Sequence, residues 1–155
     1  MKKENFFSRL FRSDYDISKE EAIVIIDPFY NLFRAEKRDW DKGMDSLRDD
    51  WKSYDANNNF RDKEQTREYL KGMFASVPDI NVTNLQVQVD GDWICVRSEL
   101  TGTPSGEFLG EPHTGRSFHI MAVDFNRFDK DGKLAELYHC ENWAIAILQL
   151  RGQWE

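Results

Sequence analysis

The spacing of apolar positions changes once along this chain, near Ile80. Before it, apolar residues recur at helical intervals. Ile25, Ile26, Phe29, Leu32 and Phe33 fall on one such stripe, and Ser18-Lys19-Glu20-Glu21 ahead of them reads as a capping box with Ser18 as N-cap. Pro28 lies inside the stripe and predicts a kink or a restarted helix, because proline lacks a backbone donor. A second amphipathic helix is expected over 41–51, from Met44, Leu47, Arg48 and Trp51, and a polar loop over 54–59. A third helix is expected over 63–75, carrying Tyr69, Leu70, Met73 and Phe74 and ended by Pro78-Asp79.

From Ile80 onward the period is two. Val82, Leu85, Val87 and Val89 lead to the turn Asp90-Gly91-Asp92, and a return strand follows over 93–103. Two further strands, over 117–128 and 133–142, flank the turn Asp129-Lys130-Asp131-Gly132. The apolar stretch 144–148 is too short to assign. Helices followed by an antiparallel sheet make an α+β chain. No repeat or linker divides it, so one domain over 18–155 is expected, preceded by a flexible segment over 1–17.

Charge narrows the function. The 155 residues carry a net charge of −7, and the basic residues are scattered, which argues against a nucleic-acid partner. The one locally basic stretch, with Lys2, Lys3, Arg9 and Arg12, lacks the apolar core of a signal peptide. No run approaches the roughly 18 apolar residues of a membrane span, so no membrane partner is expected and the expected setting is the cytoplasm. Cys95 and Cys140 have no CxxC spacing. They read as two small buried hydrophobes, with no metal site and no disulfide. Eleven Phe, five Trp and five Tyr are enough to fill a wide core or to line an apolar pocket.

Candidate chemistry sits on the last strands. One face of 93–103 carries Trp93, Cys95, Arg97, Glu99 and Thr101, and the other Ile94, Val96, Ser98 and Leu100. Arg97 and Glu99 are either a surface ion pair or a pair lining a cavity. Asp124 interrupts an apolar strand. His139 and Glu141 alternate with Tyr138, Cys140 and Asn142. Histidine moves protons near neutral pH, and a carboxylate buried beside aromatics acquires a raised pKa; either group can equally be structural.

In order and spacing, several pieces of this chain resemble the SnoaL-like polyketide cyclases, also called ester cyclases. They are Asp50-Trp51, Pro78-Asp79, Leu100-Thr101-Gly102-Thr103, Gly106 to Gly110, Pro112 to Arg116, Asp124 to Phe128, Asp131-Gly132-Lys133, Tyr138 to Trp143 and Gln149-Leu150. The resemblance implies a cone of the nuclear transport factor 2-like type, in which a curved antiparallel sheet is closed by N-terminal helices. It implies a homodimer packed sheet to sheet, and the apolar residues expected on that outer face are Ile94, Val96 and Leu100 on one strand and Val123 and Phe125 on another. It also implies cofactor-free, metal-free aldol-type cyclisation of a small hydrophobic carbonyl compound, with a pocket carboxylate as acid and base. Counting back from Gln149-Leu150, the family's acid/base Asp falls at Asn142, which cannot take up a proton. The catalytic candidates are then Asp124 and His139. The substrate-binding set is Trp51, Tyr54, Arg97, Glu99, His119, Tyr138, Asn142 and Trp143. A non-catalytic binding protein with the same pocket is the alternative.

Overall fold

The structure is a computed structural model, and residues 15–154 are described. The first fourteen residues of the expected flexible segment lie outside them. Tyr15 and Ile17 are packed against the core, Tyr15 edge-on to Phe128 with ring centroids 5.7 Å apart.

Helix α1 spans Lys19–Tyr30. Its capping box is complete: the Glu21 N–H donates to Ser18 Oγ (3.1 Å) and the Ser18 N–H donates to Glu21 Oε2 (2.7 Å). The helix runs through Pro28 without restarting and tightens into a 3₁₀ turn at Asn31–Phe33. Pro28 sits close to the C-terminal end, where one lost backbone bond costs least. A short helix α2, Trp40–Asp45, leads directly into strand β1, Leu47–Ala56, which hairpins to β2, Asn59–Arg61. Helix α3, Lys63–Ser76, opens on a second capping box between Asp62 and Gln65. Strands β3 (Asn81–Asp90), β4 (Trp93–Gly102), β5 (Phe118–Phe128) and β6 (Leu134–Glu141) follow, and helix α4, Trp143–Leu150, ends the described chain. Fold class and strand order after Ile80 match expectation, and 144–148 belongs to a helix.

Two expectations need correction. The helix expected over 41–51 stops at Asp45, and Leu47, Arg48 and Trp51 lie on β1. Met44, Leu47 and Trp51 imitate a helical stripe only because they straddle a boundary. Asp49 and Asp50 are poor helix formers, and the bond from Arg48 to Asp50, two residues on (2.7 Å), suits a strand face. The residues expected to loop over 54–59 instead complete β1, turn at Asn57-Asn58 and begin β2. The sheet is also not wholly antiparallel. It is curved, unclosed and six-stranded in the order β2-β1-β6-β5-β4-β3, with β1 parallel to β6 and every other pair antiparallel.

Helices α1, α2 and α3 cover one face of the sheet. Ile26, Phe29, Tyr30, Met44, Leu70 and Phe74 pack there against Leu47, Trp51, Ile94, Val96, Leu100, Phe118, Ile120 and Leu134. Strand β5 alternates strictly, with Phe118, Ile120, Ala122, Asp124, Asn126 and Phe128 buried. Ile94, Val96 and Leu100, expected on an outer face, are therefore core residues. Cys95 is only half-buried and Cys140 is exposed, both on the outer side, so neither is the buried hydrophobe expected.

Gly102 ends β4 where the sheet meets the α3–β3 connection. A Cβ there would collide with Val77 Cγ1 and lie 3.0 Å from Phe118 Cζ. Gly102→Ala should cost about 1–3 kcal/mol in denaturant unfolding, the usual range for an overpacked core. The added change Val77→Ala should recover part of that loss. Unchanged stability in Gly102→Ala would mean the approach is looser than described.

Candidate active site

A polar cluster occupies the inner face of the sheet, in surroundings otherwise apolar. Strand alternation turns Asp124 and Asn126 inward from β5, Ser98 inward from β4 and Ser53 inward from β1. Asp124 pairs in register with His139 on β6, and Ala122 pairs with Glu141. Tyr30, at the end of α1, reaches down to the sheet. Its hydroxyl donates to Asp124 Oδ2 at 2.6 Å and accepts from Asn126 Nδ2 at 3.1 Å, while Asn126 Nδ2 also lies 3.3 Å from the Ile94 carbonyl. His139 is engaged at both nitrogens: Nδ1 lies 2.9 Å from Glu141 Oε1 and Nε2 lies 3.3 Å from Ser53 Oγ.

Burial sets the electrostatics. Asp124 is 8% exposed. Loss of water is the largest influence on its carboxyl and raises the pKa from the ordinary 3.8 to about 6; the Tyr30 hydrogen bond and the positive imidazole of His139 work against this rise, and Glu141 adds to it. Burial is the largest single influence on the His139 imidazole and pulls it down, while the Glu141 carboxylate on its Nδ1 pushes it up. With Asp124 and Asp55 adding to Glu141, the net shift is upward. Burial first, then the charge of Asp124, pushes the Tyr30 phenol well above its usual range. Tyr30 therefore stays a donor, Asp124 titrates near pH 6, and His139 holds its proton above the ordinary imidazole range.

Asp124, His139, Glu141, Ser53 and Ser98 line one small cavity, closed by Phe29, Phe33, Leu70, Leu100 and Trp143. The interior is tight, about 50 Å³, which is room for the end of a molecule. Tyr69, Met73, His139, Glu141 and Trp143 also line a broader mouth of about 650 Å³, with Phe108 and Asp55 on its rim. A roomier groove of about 750 Å³ runs along α1 and β3. Its Arg34 and Asp27 already pair at 3.2 Å, and it holds none of this cluster. Among the described residues, no group of three or more His, Cys, Asp or Glu is placed to hold a metal ion, and no helix is long and apolar enough to cross a membrane.

Of the residues expected at a site, the cavity brings together Asp124, His139 and Trp143. The others lie elsewhere. Trp51 is in the core, with its indole N–H donating to Thr66 Oγ1 (3.2 Å). Tyr54 and Tyr138 stack on the outer face with ring centroids 4.4 Å apart. Arg97 is exposed on that face, and Glu99 there pairs with exposed His119 at 3.4 Å. Asn142 is exposed and serves as the N-cap of α4, its Oδ1 accepting from the Ile145 N–H at 3.4 Å. The expectation that Arg97 and Asn142 point into the pocket is thus overturned. On β4 the charged side chains take the face where water can reach them, while Asn142 has left the sheet for a helix cap. Sequence reasoning missed Tyr30, Ser53, Ser98 and Asn126. Glu141, on the same strand face as His139, lines the cavity too and is not among the expected site residues. The strict alternation of β5 was the one signal that could have placed Asn126 beside Asp124.

The buried carboxyl makes stability depend on pH. The native chain holds the Asp124 proton up to about pH 6, whereas an unshifted carboxyl releases it near 3.8, so folding binds a proton in that window. Stability contributed by this group is present below about pH 4 and lost as pH rises through 6, by on the order of 3 kcal/mol. Asp124→Asn should therefore raise the melting temperature relative to the parent more at pH 7.5 than at pH 4.5. An equal shift at both pH values would contradict the buried, proton-holding carboxyl.

Comparison with known proteins agrees with this architecture. The sequence matches the family model for SnoaL-like polyketide cyclases over residues 25–150. Among curated proteins there is no match. The structure is similar to AclR from Streptomyces galilaeus, a candidate hydroxylase, at TM-score 0.73 and 20% identity, covering 87% of this chain and 98% of that one. It is similar to IdmH from Streptomyces antibioticus, a candidate polyketide cyclase, at TM-score 0.73 and 24% identity over 84% and 98% of the two chains. A candidate SnoaL-like polyketide cyclase from Jannaschia sp. CCS1 gives TM-score 0.74 and 20% identity over 90% and 95%. At such identities the structural likeness speaks for the fold alone. The family match spans most of the sequence, and on that ground the chain belongs to the SnoaL-like polyketide cyclase family.

Proposed function

We propose that this protein is a cofactor-free acid/base catalyst that closes a ring in a small hydrophobic carbonyl compound by aldol-type chemistry, with Asp124 as the proton shuttle. One observation carries the reading. The Asp124 carboxylate is buried in the cavity, with one oxygen held by Tyr30 and no hydrogen bond from the described residues to the other. His139 has both nitrogens engaged, so its part is that of a charge partner to Asp124.

In this reading the substrate's apolar body fills the mouth, and its reactive end enters the cavity. Asp124 takes the proton from the carbon beside a carbonyl. The electrons of that C–H bond form the enolate, which attacks a second carbonyl of the same molecule, and Asp124 returns the proton to the new alkoxide. The walls contribute by folding the two ends together, and proximity of that kind is worth several kcal/mol of barrier. A group with a pKa near 6 is ionised at neutral pH yet basic enough to help. Asn142, an amide where the family's acid/base Asp is expected, favours the alternative of a binding protein with the same cavity.

Turnover of a cyclisable polyketide ester decides between the two. Asp124→Asn should cost about 10²–10⁴-fold in kcat, and Asn142→Ala far less. In the parent, kcat/KM should rise with pH through about 6, and Tyr30→Phe should move that inflection upward, because the Tyr30 bond favours the ionised carboxyl. If the parent turns nothing over, or Asp124→Asn leaves its rate intact, the assignment of Asp124 fails.

We also propose a homodimer formed through the outer sheet face. Met121 and Phe125 are 51% and 48% exposed there, beside Val123, Trp93 and the Tyr54–Tyr138 stack. Apolar side chains gathered on an open sheet face call for cover. Light scattering should give twice the 18.3 kDa chain mass, and Phe125→Glu should return the monomer. A parent of 18.3 kDa at micromolar concentration would count against it.

A further inference from the structure

Ser98 lies in the middle of β4 with its side chain on the inner face. It is 1% exposed, and its hydroxyl has no hydrogen-bond partner. Burying a hydroxyl unsatisfied is costly, and native chains seldom tolerate this without a reason. Its neighbours in register do not supply the bond. On one side is Asn84, whose own Oδ1 is buried and unpartnered; on the other is Ala122, whose methyl group offers nothing. Ser98 and Asp124 line the same cavity, with Val82 and Leu100 as apolar company.

The register fixes the relation between Ser98 and Asp124. Ser98 pairs with Ala122, and Asp124 pairs with Val96, so the two are diagonal neighbours on one face of adjacent strands. Such pairs stand roughly 7–8 Å apart. That span accommodates a carbonyl group and its adjacent carbon, with a hydrogen bond at the oxygen and the carboxylate at the C–H. Ala122, in register with Ser98 and two residues before Asp124, puts only a methyl group on that face.

We propose that Ser98 donates its hydroxyl hydrogen to the carbonyl oxygen of a ketone or ketoester substrate, and so carries the oxyanion while Asp124 removes the neighbouring proton. The proposal rests on the reading of Asp124 given above. In the step, the C–H electrons become the new C=C bond and the carbonyl π electrons move onto oxygen. The proton goes to Asp124, and Ser98 keeps its own. Donors aimed at a developing oxyanion act most strongly where water is excluded, as it is here.

The test uses two probes of nearly one shape, 4-fluoroacetophenone and 4-fluoro-α-methylstyrene. The second replaces the carbonyl oxygen with a methylene group. Binding is followed by fluorine NMR, and loss of the ketone's methyl protons in deuterium oxide reports proton abstraction. The parent should bind the ketone more tightly than the styrene. Ser98→Ala should weaken ketone binding roughly three- to tenfold and leave styrene binding unchanged, the size expected for one hydrogen bond. It should also slow exchange about 10–100-fold, with a melting temperature equal to or above the parent's, since an unsatisfied hydroxyl is removed. Asp124→Asn should abolish exchange and keep the preference for the ketone. A Ser98-dependent ketone preference with no exchange in the parent would support the oxygen contact and sink the reading of Asp124. Equal weakening of both probes, a lower melting temperature in Ser98→Ala, or no ketone preference in the parent would each overturn the role of Ser98.

Discussion

The hydrogen bond from Tyr30 to Asp124, 2.6 Å long, ties the helical layer to the sheet at the point where the interior is most polar. A carboxylate can accept about four hydrogen bonds, and this one receives a single hydrogen bond from the described residues. The shortfall is why burial dominates its proton affinity. It also makes the position of α1 critical. Tyr30 is the last residue of that helix, two beyond Pro28, and Asn126 holds its oxygen from the other side. The chain tolerates a proline in the final turn and then tightens into a 3₁₀ turn, which keeps Phe29, Tyr30 and Leu32 all directed inward.

Around that contact the aromatic residues divide into two groups. Phe29, Phe33, Trp40 and Phe74 form one chain of mostly edge-on or tilted contacts that makes the roof rigid, and Trp51 joins it through Phe29. Phe108, Phe118 and Trp143 form another at the mouth. The segment bearing Phe108 is anchored at Glu111, which meets Arg151 through two short bonds of 2.6 and 2.9 Å. The narrow interior and wide mouth follow from this arrangement: the roof packs closely over the sheet, and the second cluster stands at its edge.

Much of the fold was legible because local chemistry and pattern agreed. The capping box at Ser18, the turns around Gly91 and Gly132, and the change of period near Ile80 each placed an element. β1 was not legible. It begins one residue past a helix, and Leu47 and Trp51 satisfy a helical stripe as readily as a strand face. Its partner β6 lies almost ninety positions away, so nothing local announces the parallel pairing. The site was half legible. Asp124 and His139 stood out as ionisable groups in apolar strands, but strand parity is lost wherever both faces are apolar. Met121, Val123 and Phe125 look as core-like as Ile120 and Ala122. On β6, Leu134 and Leu137 are both buried although they stand three positions apart, because the ladder shifts register opposite Arg127 and Phe128. Counting in twos across that irregularity does not reveal that His139 and Glu141 share the inner face.

Position 142 has a structural task that an amide meets. At the N-cap of α4 the side chain's task is to accept from the backbone N–H of Ile145, and an amide does this about as well as an acid. An acid at that place would meet free backbone donors and the positive end of the helix, both of which favour the ionised form and make it a weaker base. Asp124 sits in the opposite environment. It is buried, bonded once, and shifted upward toward the pH at which proton transfer is most effective. On physical grounds the better base of the two positions is the one on β5. With an amide at position 142, the proposed acid/base step therefore falls to Asp124.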